Sequence, residues 1–237
     1  MFLIYLNFPI FGTNEINMRK TFFIPAIAFA LTAFTLTSCE KDKPLTSETA
    51  EVTTTKEGVI YTLDTINSKI DWKGYKVVKS ENTSHFGTIK FETGDVTVKD
   101  GKLESGKFVA DVNTLEAEDL KNDAEKKAKL EGHLKSGDFF ETETHPTAVY
   151  EITKVTEATD GGDYNTILDG NLTMKGITKP VQFKANVSMN SGEVTIATEP
   201  KDIMREDYGV KFQMPVENGL LKNEVTLQIF VKATEVK

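Results

Sequence analysis

Alternation of apolar and polar residues is the feature that most restricts the fold of this chain. In segment 224–233 every second residue is apolar, with Phe230 as an extra: Val225, Leu227, Ile229 and Val231. Segment 181–189 repeats the pattern, and segments 68–78 and 147–155 follow it less regularly. Successive side chains of a β-strand point to opposite faces, so a period of two predicts strands with one buried face.

Short turn sequences separate these segments. Asp100-Gly101 stands between two strand-like stretches, and the two central residues of such a hairpin turn both need positive φ. Asn190-Ser191-Gly192, Gly161-Gly162 and Asn218-Gly219 mark further loops. Strands joined by tight turns pair in antiparallel fashion, so the sequence predicts an all-β, antiparallel domain.

Segment 115–136 breaks the alternation. Its apolar residues recur at helical spacing, and acidic residues precede lysines, which suits the helix dipole. Thr114 is the expected N-cap, and Gly132 or Gly137 is expected to mark the end. We therefore expect one helical insertion at about 115–136 in the β domain.

Either a barrel or a sandwich would satisfy this pattern, and the alternation alone does not decide between them. The choice matters for function, because a barrel of about eight strands encloses just enough space for one small ligand.

The N-terminal region is typical of an exported protein. Arg19 and Lys20 precede an uncharged apolar run at 21–36, and Leu36-Thr37-Ser38-Cys39 resembles the bacterial lipobox. We expect a signal peptide at 1–38, with Met18 as the true start, and lipidation of Cys39. The polar segment that follows predicts a flexible linker over 39–57, and the folded domain is expected at 58–237.

The expected location is the cell envelope, on the periplasmic or the surface face of the outer membrane, with the lipid on Cys39 as the anchor. Cys39 is the only cysteine, so no internal disulfide can form. A net charge of −8 argues against a nucleic-acid partner, which requires a basic surface.

Several strings along the domain resemble those of the YceI family, the polyisoprenoid- or lipid-binding proteins of the bacterial envelope. They occur in family order over about 62–234, and their positions are 68–74, 85–88 (His-Phe-Gly-Thr), 106–111, 130–140 with 145–148, 170–180 and 205–209. One departure is the acidic stretch Glu141-Thr142-Glu143-Thr144, which leaves the head group of any ligand open.

The resemblance implies a lipocalin-like antiparallel barrel of about eight strands that holds a long apolar ligand, such as an isoprenoid, a quinone or another lipid. Storage, transport and protection are all compatible roles. The oligomeric state stays open, with a homodimer as one option. Candidate ligand-binding residues are Trp72, His85, Phe86, Phe108, Phe139, Phe140, Phe183 and Tyr208. Ordinary core packing is the competing explanation for each aromatic, and His85 could donate to a head group at the barrel mouth.

No catalytic or metal-binding motif appears. The three histidines, His85, His133 and His145, lack metal-ligand spacing, and no nucleophile motif is present. Arg205 and Asp207 are expected to fix turns rather than to act as acid or base. We therefore expect neither an enzyme nor a cofactor. Two alternatives stay open: a structural or stress-protective surface protein with a filled barrel, and a lipid-modifying enzyme, which would need a buried charged pair.

Overall fold

The structure is a computed structural model that describes residues 49–55, 57–159 and 161–235. Cys39 and the predicted signal peptide lie outside the described residues. The elements are β1 Val59–Leu63, β2 Lys69–Val78, β3 Glu81–Lys99, β4 Lys102–Ala117, α1 Ala124–Lys135, β5 Thr147–Glu157, β6 Thr166–Met174, β7 Ile177–Asn190, β8 Glu193–Thr198, β9 Lys201–Met204 and β10 Gly219–Glu235. Short 3-10 turns occupy Glu118–Leu120 and Arg205–Tyr208.

The strands close into a barrel. Antiparallel pairs run from β2 through β8 in chain order, and β10 pairs with both β2 and β8 to complete a ring of eight strands. Two short strands extend this ring: β1 pairs with the end of β10 and the end of β3, and β9 pairs with the first half of β10. The predicted lipocalin-like barrel is confirmed, and the sandwich is excluded.

Local sequence accounts for the strand boundaries. Asp100 and Gly101 both adopt positive φ, 51° and 74°, as the hairpin prediction requires. Lys175-Gly176 makes a second turn of this kind between β6 and β7, with φ of 48° and 71°. In each pair glycine takes the second position, where the absence of Cβ removes the steric cost.

The helical insertion is shorter than the sequence predicted. Leu115 and Ala117 belong to β4 and are buried, so the alternation of that strand continues to residue 117. Thr114 is not the N-cap. Asp123 caps α1, and its side chain accepts a hydrogen bond from the backbone N–H of Lys126. Among the described residues, no helix combines the length and the apolarity that crossing a membrane requires.

The barrel interior differs between its two ends. We call the end near the β3–β4 and β7–β8 hairpins the filled end, because its inward side chains pack against each other at nearly zero exposure: Val96, Ile152, Val194, Ile196 and Ala233. The opposite end, which α1 and the segment 205–218 cover, contains free space, and we call it the hollow end.

Part of the expected linker contacts the domain. The backbone of Ala50 exchanges two hydrogen bonds with the side chain of Asn171, at 2.8 and 2.9 Å. Thr53 donates from its backbone N–H and its hydroxyl to the carbonyl of Thr153. Thr153 occupies a break in the β5–β6 register, so its carbonyl is available to this segment. Residues 49–55 therefore lie along the outside of the barrel.

Candidate ligand-binding site

A narrow cavity of about 110 Å³, measured as the space open to the centre of a water molecule, lies inside the hollow end. Its wall consists of alternate residues of consecutive strands: Ile70 and Trp72, Ile89 and Phe91, Phe108 and Ala110, Ala148 and Tyr150, Leu172 and Met174, and Val225, Leu227 and Ile229. Almost none of this wall is polar. The period of two in the sequence is therefore the direct cause of an apolar chamber.

Two segments cover the cavity. Leu134 of α1 and Phe140, which follows it, close one side, and Val210 reaches in from the segment after β9. The two segments are joined by a ring cluster: His133 lies edge-on to Phe139 at 5.0 Å and to Phe212 at 4.8 Å between ring centroids. The cover of the hollow end is therefore packed together by aromatic contacts.

The base of this cover depends on Gly87. Gly87 of β3 pairs with Ala117, and a Cβ at position 87 would overlap the carbonyl oxygen of Glu116 and lie 2.8 Å from its carbon. The same carbonyl accepts a hydrogen bond from the indole N–H of Trp72 at 3.2 Å. The glycine thus lets the end of β4 approach closely enough to fix Trp72 against the cavity.

Tyr150 is the main polar side chain deep in the wall. Its hydroxyl lies 3.0 Å from the carbonyl oxygen of Leu168 and 3.2 Å from that of Val181. Its ring lies over Gly170, where any Cβ would overlap the ring. Burial raises the pKa of the Tyr150 hydroxyl far above its usual range, so this group stays neutral and bonded to the wall.

Besides Tyr150, the ionisable groups of the lining are His145, Lys175 and Arg205. Arg205 is buried and bonds to main-chain carbonyls, with Nε 3.0 Å from the oxygen of Lys222 and Nη1 on that of Val210. Burial lowers the pKa of the Arg205 guanidinium, which nevertheless stays charged. Lys175 has a side chain only 13% exposed, and its ammonium lies 3.7 Å from Glu141. Arg205 therefore holds the loop, as expected, and Lys175 is the cation less fully satisfied by the protein.

The family model of the YceI-like domain matches residues 61–233, from within β1 to within β10. The chain belongs to the YceI-like family. This confirms the resemblance drawn from the sequence strings. A UPF0312 protein of Vibrio parahaemolyticus is 26% identical over 168 residues, covering 71% of this chain and 74% of the relative. A UPF0312 protein of Pseudomonas aeruginosa is 33% identical over 110 residues, so the chain spans about half, 53%, of that relative.

Two solved structures share the YceI-like fold. BcnA of Burkholderia cenocepacia superposes with a TM-score of 0.57 at 22% identity, covering 73% of this chain and 99% of BcnA. A polyisoprenoid-binding domain from Saccharophagus degradans superposes with a TM-score of 0.51 at 12% identity, covering 75% of this chain and 99% of that domain. At such identities the likeness shows the fold alone.

The YceI-like barrel brings together only part of the predicted ligand set. Trp72, Phe108, Phe140 and Phe183 line the cavity. Phe139 lies in the ring cluster of the cover, and Tyr208 is buried in the hydrophobic core. Phe86 points away from the cavity and is 46% exposed. The sequence candidates missed Tyr150 and Lys175, although the strand alternation around Tyr150 was visible.

His85 also lies outside the cavity lining. Its Nδ1 is 2.7 Å from Asp119 Oδ2, and its Nε2 is 3.0 Å from the ammonium of Lys76. Because the ammonium can only donate, Nε2 accepts and the proton sits on Nδ1, towards Asp119. Asp119 also accepts from the backbone N–H of Phe86. His85 therefore connects the β2–β3 hairpin to the 3-10 turn before α1.

Among the described residues, no group of three or more histidine, cysteine, aspartate or glutamate side chains could hold a metal ion. The described lining residues include one histidine, one lysine and one arginine, and none of them is an aspartate or a glutamate.

Proposed function

We propose that this YceI-like protein binds one long apolar lipid, of the isoprenoid class, inside the hollow end of its barrel. The observation that carries the proposal is the cavity itself: an enclosed, almost wholly apolar chamber, lined by the inward residues of consecutive strands. A lipid tail requires apolar contact and no fixed hydrogen bond, which is what this wall offers.

The ligand should be long. Burying one methylene gains about 0.8 kcal/mol, whereas association costs at least ~4 kcal/mol. Ten buried carbons therefore leave about 4 kcal/mol, a dissociation constant of about 1 mM, and micromolar affinity requires about fifteen. The free space of about 110 Å³ is smaller than the roughly 300 Å³ of the smallest usual ligand pockets, so a long chain has to displace side chains of the cover as it enters.

The fold neighbour from Saccharophagus degradans supports the isoprenoid class, because it is described as a polyisoprenoid-binding domain. No carboxylate belongs to the described lining, and the acids paired with its cations, Glu141 and Glu206, are 44% and 39% exposed, which favours binding over catalysis. The filled end favours a purely structural role, since side chains already occupy the interior there.

The cavity can be tested by filling it. Ala148 of β5 lines the cavity, whereas its neighbour Val149 lies on the other face of the strand. Ala148→Phe should weaken binding of a fluorescent apolar probe, and its displacement by a prenyl lipid, by at least about tenfold, because the ring occupies the space of the chain. Val149→Phe is the matched control and should bind as the wild type does.

Thermal unfolding of both variants shows whether the barrel is intact. Equal probe affinity in a folded Ala148→Phe variant and in the wild type would rule out the cavity as the binding site. Absence of displacement by any prenyl lipid would support the structural alternative.

We further propose that the protein is a lipoprotein of the cell envelope, anchored through Cys39. The apolar run, the lipobox-like tetrapeptide and the position of the cysteine support this. Cells fed an alkyne-tagged fatty acid should label the wild-type protein, and Cys39→Ala should abolish the label. Persistent labelling of Cys39→Ala would contradict the anchor.

A further inference from the structure

Beyond the ring, the ends of three strands extend past the cavity-lining residues Trp72 and Val225 as a small projecting sheet. It consists of the end of β2, the start of β3 and the start of β10, paired through Val77 with Asn82 and with Leu220. The tips meet where the backbone N–H of Lys79 donates to the carbonyl of Asn218. This sheet lies at the hollow end, beside the cover of the cavity.

One face of the projecting sheet is open and carries several apolar side chains. Ile70 and Trp72 face the cavity, so Lys73, Tyr75 and Val77 face outward. Directly paired residues of neighbouring strands share a face, so Phe86, opposite Lys73, and Leu220, opposite Val77, join them. The polar residues Ser84 and Asn82 lie between them on β3. Phe86 is 46% and Leu220 53% exposed. We call this set, together with Lys222, the outer face.

Lysines border these apolar side chains. The ammonium groups of Lys73 and Lys222 lie 5.4 and 5.8 Å from the centroid of the Tyr75 ring. The Tyr75 hydroxyl is held 2.9 Å from the hydroxyl of Thr226, which in turn donates to Asp202. An aromatic and aliphatic surface edged by lysines suits the boundary between acyl chains and lipid head groups, where the stems lie on apolar surface and the charges reach phosphate.

We propose that the outer face docks on an anionic lipid surface and brings the hollow end against the membrane. Charge supports a lipid surface as the partner: the chain carries a net charge of −8, yet this face carries two lysines, Lys73 and Lys222, against the carboxylate of Asp202. An anionic bilayer therefore repels most of the protein and attracts this part. The docking itself does not depend on any cargo. Transfer of a lipid between the docked membrane and the cavity rests on the function proposed above.

The test is hydrogen–deuterium exchange of the full chain with vesicles of phosphatidylglycerol and phosphatidylcholine, against vesicles of phosphatidylcholine alone. A lipid anchor at the N-terminus inserts into both kinds of vesicle, so a difference between them reports the effect of the anionic lipid. Peptides covering 73–86 and 216–222 should gain protection on the anionic vesicles, and peptides covering 99–107 and 188–195 at the filled end should not. Equal protection at both ends, or none, would overturn the proposal.

A pair of matched variants checks the side chains. Phe86→Ser with Leu220→Ser should slow the transfer of a bound apolar probe to anionic vesicles by about tenfold, because two side chains no longer enter the lipid. Ile66→Ser with Met189→Ser changes exposed apolar residues at the filled end and should leave transfer unchanged.

The outcomes separate docking from cargo binding. If the wild type shows the local protection but binds no probe, the docking proposal holds and the proposed cavity function is wrong. A wild type that binds the probe but shows no local protection would contradict docking alone. Protection of the outer face that rises with protein concentration without vesicles would assign it to self-association and overturn the lipid proposal.

Discussion

Replacing Gly87 by alanine would place a methyl group on the carbonyl oxygen of Glu116, 2.8 Å from its carbon and 3.0 Å from the backbone nitrogen of Glu118. All three atoms belong to the backbone, so no side chain can rotate away. The end of β4 must therefore move, and the hydrogen bond from the Trp72 indole to Glu116 is lost with it. Overpacking costs about 1–3 kcal/mol and a lost hydrogen bond about 1 kcal/mol, so we expect a loss of about 2–4 kcal/mol in the free energy of unfolding.

Urea unfolding followed by tryptophan fluorescence measures this loss. Trp72 is the only tryptophan and is buried beside Leu115 and Ala117, so its emission should also shift to the red as the end of β4 moves away. Gly74→Ala is the matched control, because Gly74 lies on the neighbouring strand with nothing within 4 Å of an added Cβ. It should keep the wild-type stability or gain up to about 1 kcal/mol from reduced freedom of the unfolded chain.

A Gly87→Ala variant that loses less than about 1 kcal/mol and keeps the wild-type emission would refute the close approach of β3 and β4. Equal losses in Gly87→Ala and Gly74→Ala would attribute the effect to glycine in strands generally, and not to the contact with Glu116.

Two further predictions concern the helix and its attachment. Gly132 lies inside α1 with open space around an added Cβ, so Gly132→Ala should raise the free energy of unfolding by about 0.5–1 kcal/mol in the same urea titration; a loss of stability would mean that the helix does not extend through residue 132. The Lys127 ammonium holds the pKa of the Glu116 carboxyl below its ordinary value of 4.5, so this pair stabilises the fold above that pH and ceases to do so as the pH falls through the lowered pKa. Glu116 is 47% exposed, so the pair contributes at most about 0.5 kcal/mol to the free energy of unfolding. Between pH 6 and about pH 3 the melting temperature of Lys127→Met should therefore fall slightly less than that of the wild type. Parallel curves of melting temperature against pH would show that the pair contributes nothing.

The strand pattern was readable from sequence because each strand buries one face. Thus the apolar residues Val225, Leu227 and Ile229, identified from their spacing alone, all line the cavity. The Asp100-Gly101 turn was readable for an equally local reason, the positive φ of both residues. Closure into a barrel was not local: it depends on the pairing of β10 with both β2 and β8, which only the family resemblance could anticipate.

The start of α1 and the positions of several aromatic side chains depend on tertiary contacts, which a local sequence pattern does not contain. The start of α1 was placed too early because Leu115 and Ala117 suit either a strand or a helix, and packing against Trp72 decides between them. Phe86 is a ligand candidate because it is an aromatic residue in the string 85–88, and the pairing of Trp72 with Gly87 places its side chain outside the cavity lining. Phe139 and Phe140 are adjacent in an irregular segment without periodicity, so only tertiary contact separates the ring cluster from the cavity wall.

Native mass spectrometry of the protein purified from its own membranes tests the cavity most directly, with Ala148→Phe purified in parallel. Binding inside the barrel predicts one lipid adduct per wild-type chain, which extracts as an isoprenoid, and its loss from the folded Ala148→Phe variant. A bare wild-type mass that stays bare after incubation with prenyl lipids, or an adduct that survives equally in Ala148→Phe, would contradict binding inside the barrel.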